Sequence, residues 1–212
     1  RQLAEKDRKL AENERKLTDR RIASMMSQIR SHFIFNVLAA ISTYCKIDPK
    51  KADNALVRFS RYLRKNIKII EEEGLIDFDM ELEQLEDYIA LEQLRFEDRI
   101  QFEKQIETSS FEIPPLTIQP LVENAIKHGL IEPGKSGTIC LHTKRKTGYV
   151  EITVTDNGIG FAPEECEKEE SVGIRNVRYR LQHMVGGKLT IDSVPGEGTK
   201  VTITIPTEEA KK

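Results

Sequence analysis

PLVENAIKHG (residues 120–129) and DNGIGF (156–161) flank a stretch that alternates like two strands, and this pairing decides the fold. A polar helix face followed by an Asp and two closely spaced glycines at a strand end is an arrangement able to hold a nucleotide. The neighbouring segments fit an α/β layer. Ile100, Phe102 and Ile106 change the period from helical to two, and Pro114-Pro115 ends that run. A helix is predicted over 116–130, strands over 137–146 and 149–155, a Glu-rich loop over 162–170, a helix over 172–185, and strands over 187–193 and 199–205 with the turn VPGEGT between them. An open sheet covered by helices on one face makes an α+β sandwich.

The N-terminal half reads differently. Leu3, Leu10 and Leu17, with Ala4, Ala11 and Thr18 one position later, form a short heptad seam. From residue 22 the apolar density rises: Ile22, Met26, Ile29, Phe33, Val37, Ala40 and Tyr44 make one row, and Ile34, Leu38, Ile41 and Cys45 a second. Asp48-Pro49 breaks the helix, and Ala52, Leu56, Phe59, Leu63, Ile67 and Ile70 resume it. One hairpin leaves a broad apolar face uncovered, and two such hairpins bury it as a four-helix bundle, so a homodimer is expected. After Gly74, a helix over 79–97 carries Leu82, Leu85, Ile89 and Phe96 toward the second half. The expected divisions are 1–21 (signalling coiled coil), 22–75 (dimerisation hairpin), 76–99 (linker helix), 100–206 (nucleotide domain) and 207–212 (tail).

Composition narrows the function. With 33 basic and 35 acidic residues and no basic patch interleaved with aromatics, nucleic acid is excluded as an expected partner. Cys45, Cys140 and Cys166 are odd in number and scattered, which points to neither disulfides nor zinc and implies a reducing compartment. No apolar run is long enough for a membrane span. The chain opens on Arg1 in helical pattern, as a piece of something longer would.

On helix 116–130, Ile118, Leu121, Val122, Ala125 and Gly129 face one way, while Glu123, Asn124, Lys127 and His128 gather on the other at spacings of three and four. Amide and carboxylate oxygens suit a hydrated Mg2+, and the ammonium suits phosphate oxygens. A polar surface face alone would give the same pattern. Asp156 can accept from a purine amine, Gly158 and Gly160 admit close backbone approach, Gly173 precedes a helix N-terminus, and Gly196, Gly198 and Thr199 make a second tight approach.

Taken in order, these blocks resemble the GHKL superfamily ATPase domain of gyrase B, Hsp90, histidine kinases and MutL: VENAIKHG is similar to its asparagine box, DNGIG to its first glycine box and GEGT to its last. The resemblance implies ATP, with Asn124 and Glu123 at Mg2+ and Lys127 at phosphate. It also implies Asp156 at the adenine amine, and a nucleotide lined by His128, Gly158, Gly160, Gly173, Asn176, Gly198 and Thr199 under a mobile lid at 161–172. In gyrase-like relatives the Glu of the asparagine box activates water; in kinases the same position need not.

His32 in QIRSHFIFNVL lies about 100° around the helix from Phe33, on the flank of the expected bundle, with Asn36 one turn above it. HFIFN resembles the phosphoacceptor box of LytS/YehU-type sensor histidine kinases, usually PHFLFN, and LEDYIALEQLRFEDRIQFE resembles the segment joining bundle to ATPase domain in that family. Ser31, Val37 and Ala39 depart from its usual Pro, Thr and Asn. The resemblance spans about 22–206 and implies that His32, oriented by Asn36, attacks the γ-phosphoryl of ATP. The group then passes to an Asp of a response-regulator receiver domain. Phe33 stands where other histidine kinases place an acid, so the base is unassigned. On this reading the chain is the cytoplasmic core of a membrane sensor, whose sensor region it lacks. A nucleotide-binding dimeric scaffold and an anti-sigma-type serine kinase are the alternatives.

Overall fold

The computed structural model describes residues 31–71, 74–96, 99–129, 136–162 and 171–207. The expected coiled coil at 1–21, the rows' first members Ile22, Met26 and Ile29, Cys166 and most of the expected lid lie outside the described residues. Among those described, Cys45 and Cys140 are free thiols. No described helix is long and apolar enough to cross a membrane.

The chain divides between Glu71 and Glu72 into two compact units. The first is a helical hairpin, α1 (Ser31–Ile47) and α2 (Pro49–Glu71). Asp48 makes the corner: its Oδ1 accepts the N–H of Lys51 at 3.1 Å, capping α2, while Pro49 at the first helical position loses no bond it would otherwise make. Phe33, Val37 and Ile41 of α1 are buried against Ala52, Ala55, Phe59, Tyr62, Asn66 and Ile69 of α2, with the Phe33 and Tyr62 rings edge to face at 5.3 Å. Leu56 and Ile67 are 48% and 45% exposed, because the row closing the hairpin runs one position away, through Ala55, Tyr62 and Asn66. Asn66 is tolerated there because its Nδ2 donates to the Tyr62 carbonyl at 2.9 Å. On α1, Phe35 and Leu38 also remain 70% and 44% exposed.

The second unit is an α/β sandwich. Its five-stranded sheet runs β2 (Ile100–Ile106), β4 (Gly137–Lys146), β5 (Tyr149–Asp156), β7 (Gly198–Pro206), β6 (Lys188–Val194), with β2 parallel to β4 and the rest antiparallel. Alternation sets the inner face. Leu141, Val154 and Val201 form one cross-strand row, and Thr143, Ile152, Ile203 and Leu189 another. Against the sheet lie α3 (Phe78–Phe96), α4 (Gln119–Asn124, continuing as a π-helical turn through Gly129) and α5 (Val172–Arg180, continuing as a second π-helical turn through Val185). A two-strand ribbon, β1 (Ile76–Asp77) with β3 (Glu112–Ile113), ties the start of α3 to the segment entering α4. Stacked Phe78 and Phe111 rings 4.6 Å apart close it. The helix expected over 79–97 is therefore an integral layer of this unit. Its buried side includes Glu81, Gln84, Asp87 and Glu92 beside Leu85 and Ile89, whereas Leu82 and Phe96 are only half-buried.

Candidate nucleotide site and phosphoacceptor

Strand parity places Asp156. It shares the inner face with Val150, Ile152 and Val154 but sits at the end of β5, so a carboxylate is carried into the covered face where the sheet opens, 7% exposed. Across the sheet its row continues through Ile139, Thr199 and Ser193. Gly158 donates its N–H to Asp156 Oδ1 at 3.0 Å, and the Thr199 N–H donates to the same carboxyl group. Burial pushes this carboxyl above its usual range and the two backbone donors pull it back down.

The glycines pack the chain against itself. A Cβ on Gly198 (φ 104°) would lie 2.0 Å from the Asp156 carbonyl oxygen, and one on Gly160 (φ 59°) 2.1 Å from that of Val194. Their bareness, expected for approach to a ring, is required already by these two backbone crossings. Gly196 has φ 83° but open space around it, so there only conformation favours glycine. Ser193 Oγ, invisible as a motif, gathers the site's edge: it accepts from Phe161 N–H at 3.0 Å, donates to the Gly198 carbonyl at 3.1 Å and meets Thr199 Oγ1 at 3.0 Å.

The asparagine helix is shorter than expected. Residues 116–118 are irregular, with Leu116 at φ 55°, and the α-turns give way to a π-turn after Asn124. The extra residue in that turn shifts the phase, so Lys127 and His128 do not follow the simple three-and-four wheel. The π-turn packs against β5 and β7, the strands that carry Asp156 and Thr199. Lys127 is exposed, and the side chain of His128 lies outside what is described.

One polar atom of Asn124 is left unpaired. Its Nδ2 donates to Ser171 Oγ at 2.9 Å, while its buried Oδ1 has no hydrogen-bond partner. An orphaned amide oxygen with its amide nitrogen already held fits one ligand position of a hard divalent ion. Ser171 is also the N-cap of α5, accepting from Ile174 N–H at 3.3 Å; a Ser ahead of a helical run is the signal that marks it. At Gly173 an added Cβ would meet Pro120 at 3.5 Å, an ordinary contact, so packing of α5 on α4 does not require glycine there, and Asn176 is exposed on α5. Glu123 Oε1 accepts from Gln119 Nε2 at 2.8 Å, and Gln119 Oε1 from Gln84 Nε2 at 3.3 Å, so this carboxylate is tied back toward α3. Among the described residues no group of three or more His, Cys, Asp or Glu could hold a metal. A cation at Asn124 would complete its shell with phosphate oxygens and water.

In the hairpin unit His32 is exposed, next to buried Phe33. Asn36 Nδ2 lies 3.0 Å from its Nδ1 and 3.4 Å from Nε2. The amide can orient the ring but is no proton acceptor of useful strength.

Two family models match successive stretches of the chain. Residues 20–100 match the histidine kinase family model, and residues 116–209 the model of the histidine kinase-, DNA gyrase B-, and HSP90-like ATPases. The class so defined is the protein histidine kinase, an ATP-dependent phosphotransferase. Sensor histidine kinase YpdA of Escherichia coli is 38% identical over 196 residues, covering 88% of this chain and 34% of YpdA. Sensor protein LytS of Oceanobacillus iheyensis is 31% identical over 225 residues, covering 99% and 37%. YwpD of Bacillus subtilis, an uncharacterised protein, is 36% identical over 192 residues, covering 87% and 69%. This chain belongs to the histidine kinases of the LytS/YehU type. It spans about a third of the length of the YpdA and LytS relatives. The fold is shared with the histidine kinase domain of the Erythrobacter litoralis blue-light activated histidine kinase, at TM-score 0.56, 19% identity and coverage of 94% and 96%.

Proposed function

We propose that this chain is the kinase core of a two-component sensor, which phosphorylates itself on His32 and passes the phosphoryl group to an Asp of a response-regulator receiver domain. The observation that carries the proposal is the pairing of an exposed, amide-oriented imidazole with a nucleotide site whose Asn124 oxygen is orphaned. ATP is held at its adenine by Asp156 and at its phosphates by Lys127 and the N-terminal turn of α5. Mg2+, held through Asn124 Oδ1 and with Glu123 close by, offsets phosphate charge when bound.

With the Asn36 amide flipped so that Oδ1 rather than Nδ2 faces the ring, Nδ1–H is held and Nε2 keeps its lone pair. Nε2 forms the bond to Pγ, the Pγ–O bond to the β-phosphate breaks, and its electron pair leaves with ADP. The proton then leaves Nδ1 to give the neutral phosphoimidazole, and on an exposed ring water can receive it. The exposed Phe35, Leu38, Leu56 and Ile67 favour pairing of two hairpins into a four-helix bundle. The longer sensor relatives favour a cytoplasmic placement beneath a membrane-borne sensor region.

Incubation with γ-labelled ATP tests the reading. Acid-labile label on the chain, lost in His32→Gln, is expected. Acid-stable label on a partner protein would favour a serine kinase, and no label a scaffold.

A further inference from the structure

We infer that Glu81 of α3, with Arg180 at the end of α5, is a positioning residue for the phosphate end of the nucleotide site. Glu81 is 2% exposed, and its two carboxylate oxygens accept the N–H groups of Leu116 and Ile118 at 2.7 Å each. The Gln119 N–H adds to the same carboxyl group. Ile118 occupies the N-cap of α4 and has no side chain with which to cap it. Glu81 thus supplies, from another helix, the acceptor that the free amides of a helix start require. From the opposite side Arg180 Nη2 donates to the Leu116 carbonyl at 2.7 Å, and the guanidinium and carboxylate attract one another.

Leu116 is consequently gripped at both its polar ends, and it needs to be. It is the only described residue other than glycine with a positive φ, 55°, a conformation that persists only where the surroundings over-determine it. Eight residues on, Asn124 ends the same α-turns, and α4 is too short to absorb a shift at its start before reaching the amide. Asp156 is held separately, by the register of β5 with β4 and β7. Loosening the grip on Leu116 therefore disturbs the cation-facing end and spares the adenine end. This inference rests on the assignment of Asn124 to the cation.

The test is calorimetric affinity of the full chain for ATP with Mg2+ and with EDTA, at a temperature where melting curves show each variant folded. Glu81→Gln offers an N–H2 where Leu116 or Ile118 needs an acceptor. It is expected to lose about ten-fold of the Mg2+-dependent gain in affinity while keeping its affinity in EDTA within about two-fold of the parent chain. Glu81→Asp, which keeps the charge, restores part of the gain. Arg180→Gln releases the Leu116 carbonyl and serves if Glu81→Gln does not fold. Asn124→Ala is the reference and should abolish the gain. A full gain in Asn124→Ala would refute the cation assignment and this inference with it. Loss there, but an intact gain in the Glu81 and Arg180 variants, or a parallel fall of both affinities, would overturn the positioning role alone.

Discussion

Two glycines of one turn, Gly196 and Gly198, separate conformational cost from steric cost. Both have positive φ, 83° and 104°, so replacing either with Ala incurs about 1–2 kcal/mol for backbone conformation, less a few tenths regained from a stiffer unfolded chain. At Gly196 nothing lies within 4 Å of the added Cβ, so the cost ends there. At Gly198 the Cβ would sit 2.0 Å from the Asp156 carbonyl oxygen and 2.9 Å from Asn157 Cα, and reaching 3.0 Å from that oxygen requires opening the crossing by 3.0 − 2.0 = 1.0 Å. The Asp156–Thr199 pair then parts, and with it the Thr199 N–H bond to the Asp156 carboxylate. Two bonds at about 1 kcal/mol each raise the total to about 3–4 kcal/mol. At about 3 °C per kcal/mol, Gly196→Ala should melt about 3 °C lower and Gly198→Ala about 10 °C lower. By calorimetry, ATP affinity should hold in the first and fall at least about ten-fold in the second. Equal melting losses, or full ATP affinity in Gly198→Ala, would refute the reasoning.

Asp156→Asn removes the charge proposed to face the adenine amine, and ATP affinity measured by calorimetry should fall by more than about ten-fold; a smaller change counts against that contact. Glu92 is pushed above the usual carboxylate range, chiefly by burial, with Arg95 and the Tyr88 hydroxyl opposing and Glu123 adding to the rise. Its folded value exceeds its unfolded one, so its contribution is full below the unfolded value and is lost as pH rises through the folded one. Denaturant titrations should therefore show the stability of Glu92→Gln minus that of the parent chain increasing from pH 4 to pH 8, and a difference independent of pH would reject the assignment. Light scattering at micromolar concentration should give twice the chain mass; a single-chain mass would remove the hairpin pairing.

Much of the second unit was legible because period-two alternation carries both position and parity. Once β5 is a strand with Val150, Ile152 and Val154 inward, Asp156 must face inward too, at the end where the sheet opens. The hairpin was legible as helices but not in its inner row. A wide apolar helix offers several stripes at three-and-four spacing, and α2 uses the one through Ala55, Tyr62 and Asn66 rather than that through Leu56 and Ile67. Asn66 disguises this stripe, since its acceptability depends on a backbone carbonyl one turn earlier. The same difficulty hides α3's role. Glu81 and Gln84 read as a solvated polar face, and only contacts about 35 residues away in sequence show what buries them. Ser193 acts through a single hydroxyl that no spacing announces.

The two proposed ends of the nucleotide site, adenine at Asp156 and phosphate at Asn124, are supported in physically different ways. The adenine end is set by a cross-strand row within a five-stranded sheet, where displacing Asp156 means breaking register with both neighbours. The phosphate end is set by a short α4, continued by a π-turn, whose start is pinned by side chains from α3 and α5 and whose Asn124 is tied to the N-cap of α5. Side-chain bonds of this kind have alternatives with water, whereas a sheet register has none nearby in energy. In the chain, α3 follows α2 after only residues 72–77, so the covalent path from the phosphoacceptor hairpin to the nucleotide unit enters through the helix that grips Leu116.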